Sequence, residues 1–167
     1  MAKLKDGSTI HLSKITTVPD IQELAKKYLD GADFKYTKGT FTPFLVAQST
    51  AGSFSYGAQR GQYVTIGDLV FFTLYCYITA IKTQPVGIIN IGGLPFNTKS
   101  TNTVNVGRIA GLKYDTARMT TGIVSSTSDY KNRIYLYDSN PEGMFWNVNG
   151  GDIQSNFSVV ISGFYLK

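Results

Sequence analysis

The sequence predicts an all-β protein, an antiparallel β-sandwich of jelly-roll-like form with a short N-terminal α-helix. Three observations lead to this fold class. From residue 41 onward, the patterns are those of short strands separated by turn residues. Only 16% of the chain is charged, so Thr, Ser, Asn, Gly and Tyr must cover much of the surface, as is common in all-β proteins. Helix signals are confined to one segment near the N-terminus.

The N-terminal part carries the one predicted helix. We assign residues 1–39 to an attachment segment with an amphipathic helix at about 18–30, and residues 40–167 to the sandwich, with 33–40 as linker. Thr17 caps the helix and Pro19 suits its first turn. The apolar stripe comprises Ile21, Leu24, Ala25, Tyr28 and Leu29. Because so short a helix is marginal in water, the stripe must pack, either on its own β-domain or on copies of itself around a symmetry axis.

The strands of the sandwich follow in order. They are predicted at 41–47, 53–59, 63–66, 69–80, 86–91, 103–112, 118–125, 133–137, 144–148 and 157–166. Turns are predicted between them, among others at Arg60-Gly61-Gln62, Ile66-Gly67-Asp68 and Asn149-Gly150-Gly151. Many short strands with polar turns indicate a sandwich and not a parallel sheet. A shorter turn at 5–8 separates two extended pieces near the N-terminus.

The run 69–80 is the strand around which the domain is built. It is apolar and rich in β-branched and aromatic side chains, which favour strand over helix, so we predict a central strand. A second apolar run, 86–91, follows Pro85, and we predict that the two runs form an antiparallel pair. Cys76, the single cysteine, is predicted to be a buried small hydrophobe.

Composition argues against several classes of protein. The net charge of +5 is spread along the chain without a basic stripe, so we expect no nucleic-acid partner. One cysteine allows no intrachain disulfide. Because no stretch of 18 apolar residues occurs, we expect no membrane insertion, and the N-terminus lacks a signal-peptide pattern.

Catalytic and metal sites find little support. His11, the only histidine, lies in the polar N-terminal segment, so we expect no Ser-His-Asp triad, and one histidine cannot form a two-histidine metal site. The stretch Asp138-x-Asn140-x-Glu142-Gly143 resembles the opening of a calcium loop, but its twelfth position is Asn149. The carboxylates after residue 41 lie in or beside predicted turns, so a glycosidase pair has no motif behind it. We expect no catalytic residue, no metal, no cofactor and no enzymatic activity.

Residues 138–152 are the first candidate ligand site. Trp146 has Asn147, Asn149 and Asp152 as neighbours, and a ring beside amides and carboxylates suits sugar binding, through stacking and hydrogen bonds. Alternation places Phe145 and Trp146 on opposite faces of a strand, so the alternative is that Trp146 points into the core.

Two further polar loops are second candidates. Tyr114 with Arg118, and Tyr130 with Arg133, each combine an aromatic ring with hydrogen-bond donors.

Several motifs carry a family resemblance across residues 40–167. They are Phe41-Thr-Pro, Ser53-Phe-Ser-Tyr with Gln59-x-Gly61-x-Tyr63, Ile66-Gly67-x-Leu69-Val70-x-Phe72, Ile91-x-Gly93-Leu94-Pro95-Phe96 and Ile161-Ser-Gly163-x-Tyr165. As a set they resemble the C-terminal β-sandwich heads of bacteriophage tail fibres and related virion appendages. Gly67, Gly93 and Pro95 match turn and packing positions of that pattern.

The resemblance implies a virion protein made in the host cytoplasm. Its head would be a homotrimer that adheres to the host surface by binding a glycan or a teichoic-acid-like polymer, with residues 1–39 bound to another virion protein. One alternative is a structural head-fibre or decoration protein attached to the capsid or baseplate. A second is an accessory polysaccharide-modifying enzyme, which the lack of a histidine in residues 40–167 and of a nucleophile motif disfavours.

The helix prediction has a direct test. If Leu24 packs against an apolar surface, Leu24→Glu lowers the free energy of unfolding of the segment by about 2–4 kcal/mol, whereas Lys26→Gln on the opposite helix face has little effect. Circular dichroism and thermal unfolding of both variants measure this. We expect the β-domain to stay folded, and loss of the whole fold would instead make the helix part of the main core.

Overall fold

The computed structural model describes residues 2–3, 9–10, 36–113, 120–126, 131–139 and 145–167. The chain divides into two units, Met1–Lys35 and Tyr36–Lys167. In the first unit, β1 (Ala2–Lys3) and β2 (Thr9–Ile10) pair antiparallel on either side of the turn expected at 5–8. The helix at 18–30, with Ile21, Leu24 and Tyr28, lies outside the described residues, so its attachment role stays a prediction. No helix among the described residues is long and apolar enough to cross a membrane.

Ten strands make up the second unit. They are β3 (Tyr36–Phe41), β4 (Phe44–Ala47), β5 (Ser53–Ile66), β6 (Leu69–Thr83), β7 (Ile89–Gly92), β8 (Asn102–Leu112), β9 (Thr120–Val124), β10 (Ile134–Ser139), β11 (Phe145–Asn147) and β12 (Ile153–Leu166). The named pairs are antiparallel, which confirms the predicted all-β fold class. A 3-10 turn, Gly150–Asp152, precedes β12.

The strands form one curled sheet in the order β3-β5-β6-β12-β8-β9-β10-β7-β4, with β11 beside β10. Strand β8 joins the two parts of the sheet, because its residues from Asn105 to Leu112 pair with β12 while Asn102–Val104 pair with β9. The sheet therefore has two halves, which we call the β6 half (β3, β5, β6, β12 and most of β8) and the β10 half (β9, β10, β7, β4 and β11). Buried side chains of both halves belong to one apolar cluster, as in a β-sandwich.

Strand β6 is central to its half, as predicted, because β5 and β12 pair with its two edges. Its burial alternates with period two, so every second side chain enters the core. The inward set is Val70, Phe72, Leu74, Cys76 and Ile78. Cys76 is free and fully buried, as expected. Facing side chains on β12 (Phe157, Val159, Ile161) and on β10 (Ile134, Leu136) complete the apolar centre.

The prediction of a linker up to residue 40 is wrong, because Tyr36–Phe41 is a strand that pairs with β5 along its length. This strand is the edge of the β6 half. Edge strands carry polar residues and lysine to resist pairing with other chains, and Lys38 and Gly39 give β3 a polar sequence that hides its strand character. The predicted strand 41–47 is in fact the end of β3 and all of β4, interrupted at Pro43.

The predicted turn at Arg60-Gly61-Gln62 is also wrong, since β5 runs unbroken from Ser53 to Ile66. Gly61 is the partner of Phe41, whose ring lies where a Cβ of Gly61 would be. Gly39 is covered by the ring of Tyr63 in the same manner. Each glycine therefore admits an aromatic ring from the neighbouring strand, a packing role that resembles a turn signal in the sequence. The hairpin at Gly67-Asp68 does form, with Gly67 at a φ of 58°.

The predicted pairing of the two apolar runs is wrong as well. Strand β6 pairs with β5 and β12, whereas β7 pairs with β4 and β10 in the other half of the sheet. Residues 84–88 carry the chain from one half to the other. Both runs are buried because each is covered by the opposite half, and apolar composition alone does not distinguish this arrangement from a hairpin.

Burial of ionisable core groups predicts loss of stability at high pH. Burial raises the pKa of Cys76 from 9.0 to about 12, and burial likewise raises the pKa of Tyr165 to about 12. Above pH 9 the unfolded chain releases protons that the folded chain retains. The free energy of unfolding is therefore at its full value below pH 9 and falls as the pH rises towards 12. Between its unfolded and folded pKa, each group lowers the free energy of unfolding by about 1.4 kcal/mol per pH unit.

Urea unfolding between about pH 8 and pH 11 measures this loss. Cys76→Ala removes one of the two groups, so its stability is expected to fall less steeply between about pH 9 and pH 10 than that of the parent. Equal slopes in the two proteins would show that Cys76 ionises freely in the folded state.

Candidate functional site

The domain has two ends, and the position of Tyr36 defines the first of them. Tyr36 pairs with Ile66, beside the β5–β6 hairpin. The Lys167 amide donates to the Asp68 carbonyl over 2.9 Å, and the Lys99 amide donates to the Leu166 carbonyl over 2.7 Å. We call this the near end, because the chain enters the β-domain here.

The opposite end, the far end, is held together by backbone hydrogen bonds between three turns. The Gly150 amide donates to the Gly87 carbonyl over 2.8 Å, and the Lys113 amide donates to the Asp152 carbonyl over 2.9 Å. A Cβ on Gly150 would meet the carbonyl of Pro85, so only glycine allows the two segments to lie this close. The 14 residues of β5 separate the two ends by roughly 45 Å along the strand.

The predicted site at 138–152 lies at the far end. Asp138 pairs with both Trp146 on β11 and Thr120 on β9. For Trp146 the structure describes the backbone, so its stacking role stays a prediction. Asn147 is half-buried and Asn149 is exposed.

Part of the polar chemistry of this site is used within its own turn. The Asn149 amide donates to a carboxylate oxygen of Asp152 over 3.2 Å, and the Asp152 amide donates to the Asn149 carbonyl over 2.9 Å. The Asn149 side chain donates to the Asn147 carbonyl over 3.1 Å. These bonds fix the shape of the 3-10 turn that precedes β12. They use polar groups of Asn149 and Asp152 that the sequence analysis had assigned to a ligand.

The described residues beside the two second-rank candidate loops lie at different ends of the sheet. Tyr114 and Arg118 are outside the described residues, but the residues that flank their segment, Lys113 and Thr120, are at the far end. Arg133, half-buried, is at the near end.

The near-end position of Arg133 follows from its neighbours. The Leu94 amide donates to the Asn132 carbonyl over 3.3 Å, and the Thr98 amide donates to the Lys131 carbonyl over 2.9 Å. Tyr130, outside the described residues, directly precedes Lys131. The strand order therefore groups the backbone of Trp146 with Lys113 and Thr120, and separates these residues from Lys131 and Arg133.

The outer face of the β6 half is a second candidate surface, which sequence reasoning missed. It has an open groove of about 900 Å³. Phe71 and Phe164 are 41% and 49% exposed, with ring centroids 6.1 Å apart. The alternation of β6 was visible in the sequence. The partners of its outward residues were not, because they come from β5 and β12, which are remote in the chain from each other.

Register arranges this outer face in rows that cross the strands. The rows nearest the near end are apolar and consist of Ile66, Leu69 and Leu166, then Val64, Phe71 and Phe164, with Lys38 at the edge. A polar row follows, formed by Thr40, Gln62, Thr73, Ser162 and Asn105. Towards the far end come Arg60, Tyr75, Val160 and Arg108, and then Ala58, Tyr77, Ser158 and Ala110. We call the two apolar rows together the apolar patch; it consists of Ile66, Leu69, Leu166, Val64, Phe71 and Phe164. We call the row from Arg60 to Arg108 the cationic row.

Comparison with known proteins gives a likeness in structure. No protein-family model and no curated protein sequence matches this chain. The crystal structure of the Dettilon tailspike protein matches it with a TM-score of 0.64 at 19% sequence identity. The match covers 78% of this chain and 23% of the tailspike chain, so the similarity extends over less than a quarter of the tailspike. Over the aligned part, this chain shares its fold with a segment of the tailspike.

Proposed function

We propose that this chain is an adhesion module of a phage virion appendage, in which the far-end loops of a trimeric β-sandwich bind a glycan on the host surface. The tailspike likeness and the family resemblance of the motifs support the appendage assignment. The observation that carries the adhesive role is the separation of the two ends. The chain enters at the near end, and the strongest candidate site lies at the other end of the longest strands.

This separation suits a protein that is anchored at one end and makes contact at the other. If residues 1–35 bind another virion protein, that anchor joins the sandwich at the near end, and the far end is the end remote from the junction. Loop residues at this end that take no part in strand pairing, core packing or the hydrogen bonds between the turns are free to vary. The structural alternative, a head-fibre or decoration protein, uses the same anchor and requires no ligand at the far end.

The chemistry of the far end favours a glycan. Trp146 supplies a ring for stacking on sugar C–H groups, and Tyr114 and Arg118 belong to a segment that starts and ends at the same end of the sheet. A stacked ring contributes on the order of 1 kcal/mol beyond its buried area, so one site is weak. Three copies that bind a repetitive surface together raise the overall affinity through effective concentration.

The apolar patch supports the trimer. Ile66 and Leu166 are 37% and 43% exposed and lie beside the exposed Phe71 and Phe164. Contiguous apolar side chains of this kind on a soluble protein commonly mark an interface with another chain. We propose that this patch packs against another copy around a three-fold axis, while the far-end loops remain outside the contact.

An array of bacterial surface glycans tests the adhesive site. We expect the full chain to bind at least one glycan, and Trp146→Ala to weaken that binding on the order of ten-fold per site. Lys131→Ala, in an exposed loop at the near end, is the control and is expected to bind like the parent. Thermal unfolding of Trp146→Ala within a few degrees of the parent shows that the fold is intact.

Three results count against this site. Loss of binding in Lys131→Ala alone places recognition at the near end. Early unfolding of Trp146→Ala places its ring in the core, and the far-end role then passes to Tyr114 and Arg118. Binding to no glycan on the array, by a folded parent, favours the structural alternative.

Light scattering tests the trimer and the patch that forms it. The parent is expected at about three times 18.3 kDa. Phe164→Asp places a charge in the apolar patch and is expected to give the monomer mass. Val86→Asp is the matched control, because Val86 is 53% exposed and lies in the far-end turn. A monomeric parent would contradict the trimer, and a trimeric Phe164→Asp protein would show that the contact is elsewhere.

A further inference from the structure

The β6 half of the sheet has an unusual charge distribution. Strands β3, β5, β6, β8 and β12 contain no aspartate or glutamate. Their charged residues are all cations, namely Lys38, Arg60, Lys82 and Arg108. A sheet face without acidic residues has an uncompensated positive potential.

Two of these cations face the same side of the sheet in one row. Arg60 pairs with Tyr75, Tyr75 with Val160, and Val160 with Arg108. Both arginines are exposed, and three strand spacings place them about 14 Å apart. Lys99 forms an ion pair with Asp68 at the near end, and no described carboxylate forms one with Arg60 or Arg108.

We infer that the cationic row binds a phosphate-bearing polymer of the poly(glycerol phosphate) type. A guanidinium presents a planar fork of donors that matches phosphate oxygens, and two of them at this spacing suit a chain with repeated phosphates. Tyr75 lies between them and supplies a hydroxyl close to the same path. The affinity for phosphate follows from the row itself, whereas the choice of a cell-surface polymer rests on the proposed function.

The charge and exposure of the row disfavour two other occupants. A second copy that presented the same row would bring arginines against arginines, which costs affinity. Single-stranded nucleic acid is held largely by bases stacked on exposed aromatic faces. Here Tyr75 and Tyr77 are half-buried in the sheet, and the exposed phenylalanine pair belongs to the apolar patch.

Calorimetric titration of the full chain with poly(glycerol phosphate) tests the inference. We expect Arg60→Gln/Arg108→Gln to weaken binding about ten-fold or more at low salt, and the slope of log K against log salt to fall by roughly 1 to 2. The matched control is Lys82→Gln/Lys131→Gln, which removes the same charge from exposed positions outside the row and is expected to bind like the parent. Arg60→Lys/Arg108→Lys keeps the charge and is expected to recover part of the affinity.

Several outcomes would overturn the inference. The first is that the parent does not bind poly(glycerol phosphate), and the second is that Arg60→Gln/Arg108→Gln and Lys82→Gln/Lys131→Gln lose the same affinity. The third is that Arg60→Gln/Arg108→Gln lowers the mass of the oligomer but binds the polymer as the parent does. Tighter binding of a single-stranded oligonucleotide, lost in the same variant, would assign the row to nucleic acid. Trp146→Ala is expected to keep its affinity for poly(glycerol phosphate), so failure of the glycan site and failure of this row are separate results.

Discussion

The pairing of β6 with β5 on one edge and β12 on the other is the interaction on which the rest of the structure depends. Because side chains of a strand alternate with period two, this pairing commits Val70, Phe72, Leu74, Cys76 and Ile78 to the core. The same register commits their neighbours in the chain to the outer face. A slip of one residue would exchange the two sets, so the core, the apolar patch and the cationic row are consequences of a single register.

Elements that depend on local signals could be predicted from the sequence, and elements that depend on remote partners could not. The apolar run of β6 and the Gly67 turn carry their own information, and both are correct. Strand β3 looks like a linker because an edge strand is polar. Gly61 looks like a turn because its role, to admit the ring of Phe41, is visible only once the two strands are paired.

The candidate site shows the same division. Composition identifies the stretch around Trp146, since one tryptophan beside several amides is a local feature. That Lys113 and Thr120, which flank the segment of Tyr114 and Arg118, lie at the same end, while Lys131 and Arg133 lie at the other, follows only from the order and direction of β8, β9 and β10. The cationic row depends on register even more strongly, because Arg60 and Arg108 are 48 positions apart in the chain and become neighbours in one row through β6 and β12.

The account centres on the claim that recognition occurs at the far end of the sandwich. Hydroxyl-radical footprinting of the full chain, free and bound to a glycan that it recognises, tests this most directly because it requires no substitution. The account predicts protection in the far-end segments, 113–120 and 145–152, with near-end segments 93–101 and 125–133 unchanged. Protection confined to the near-end segments would contradict it.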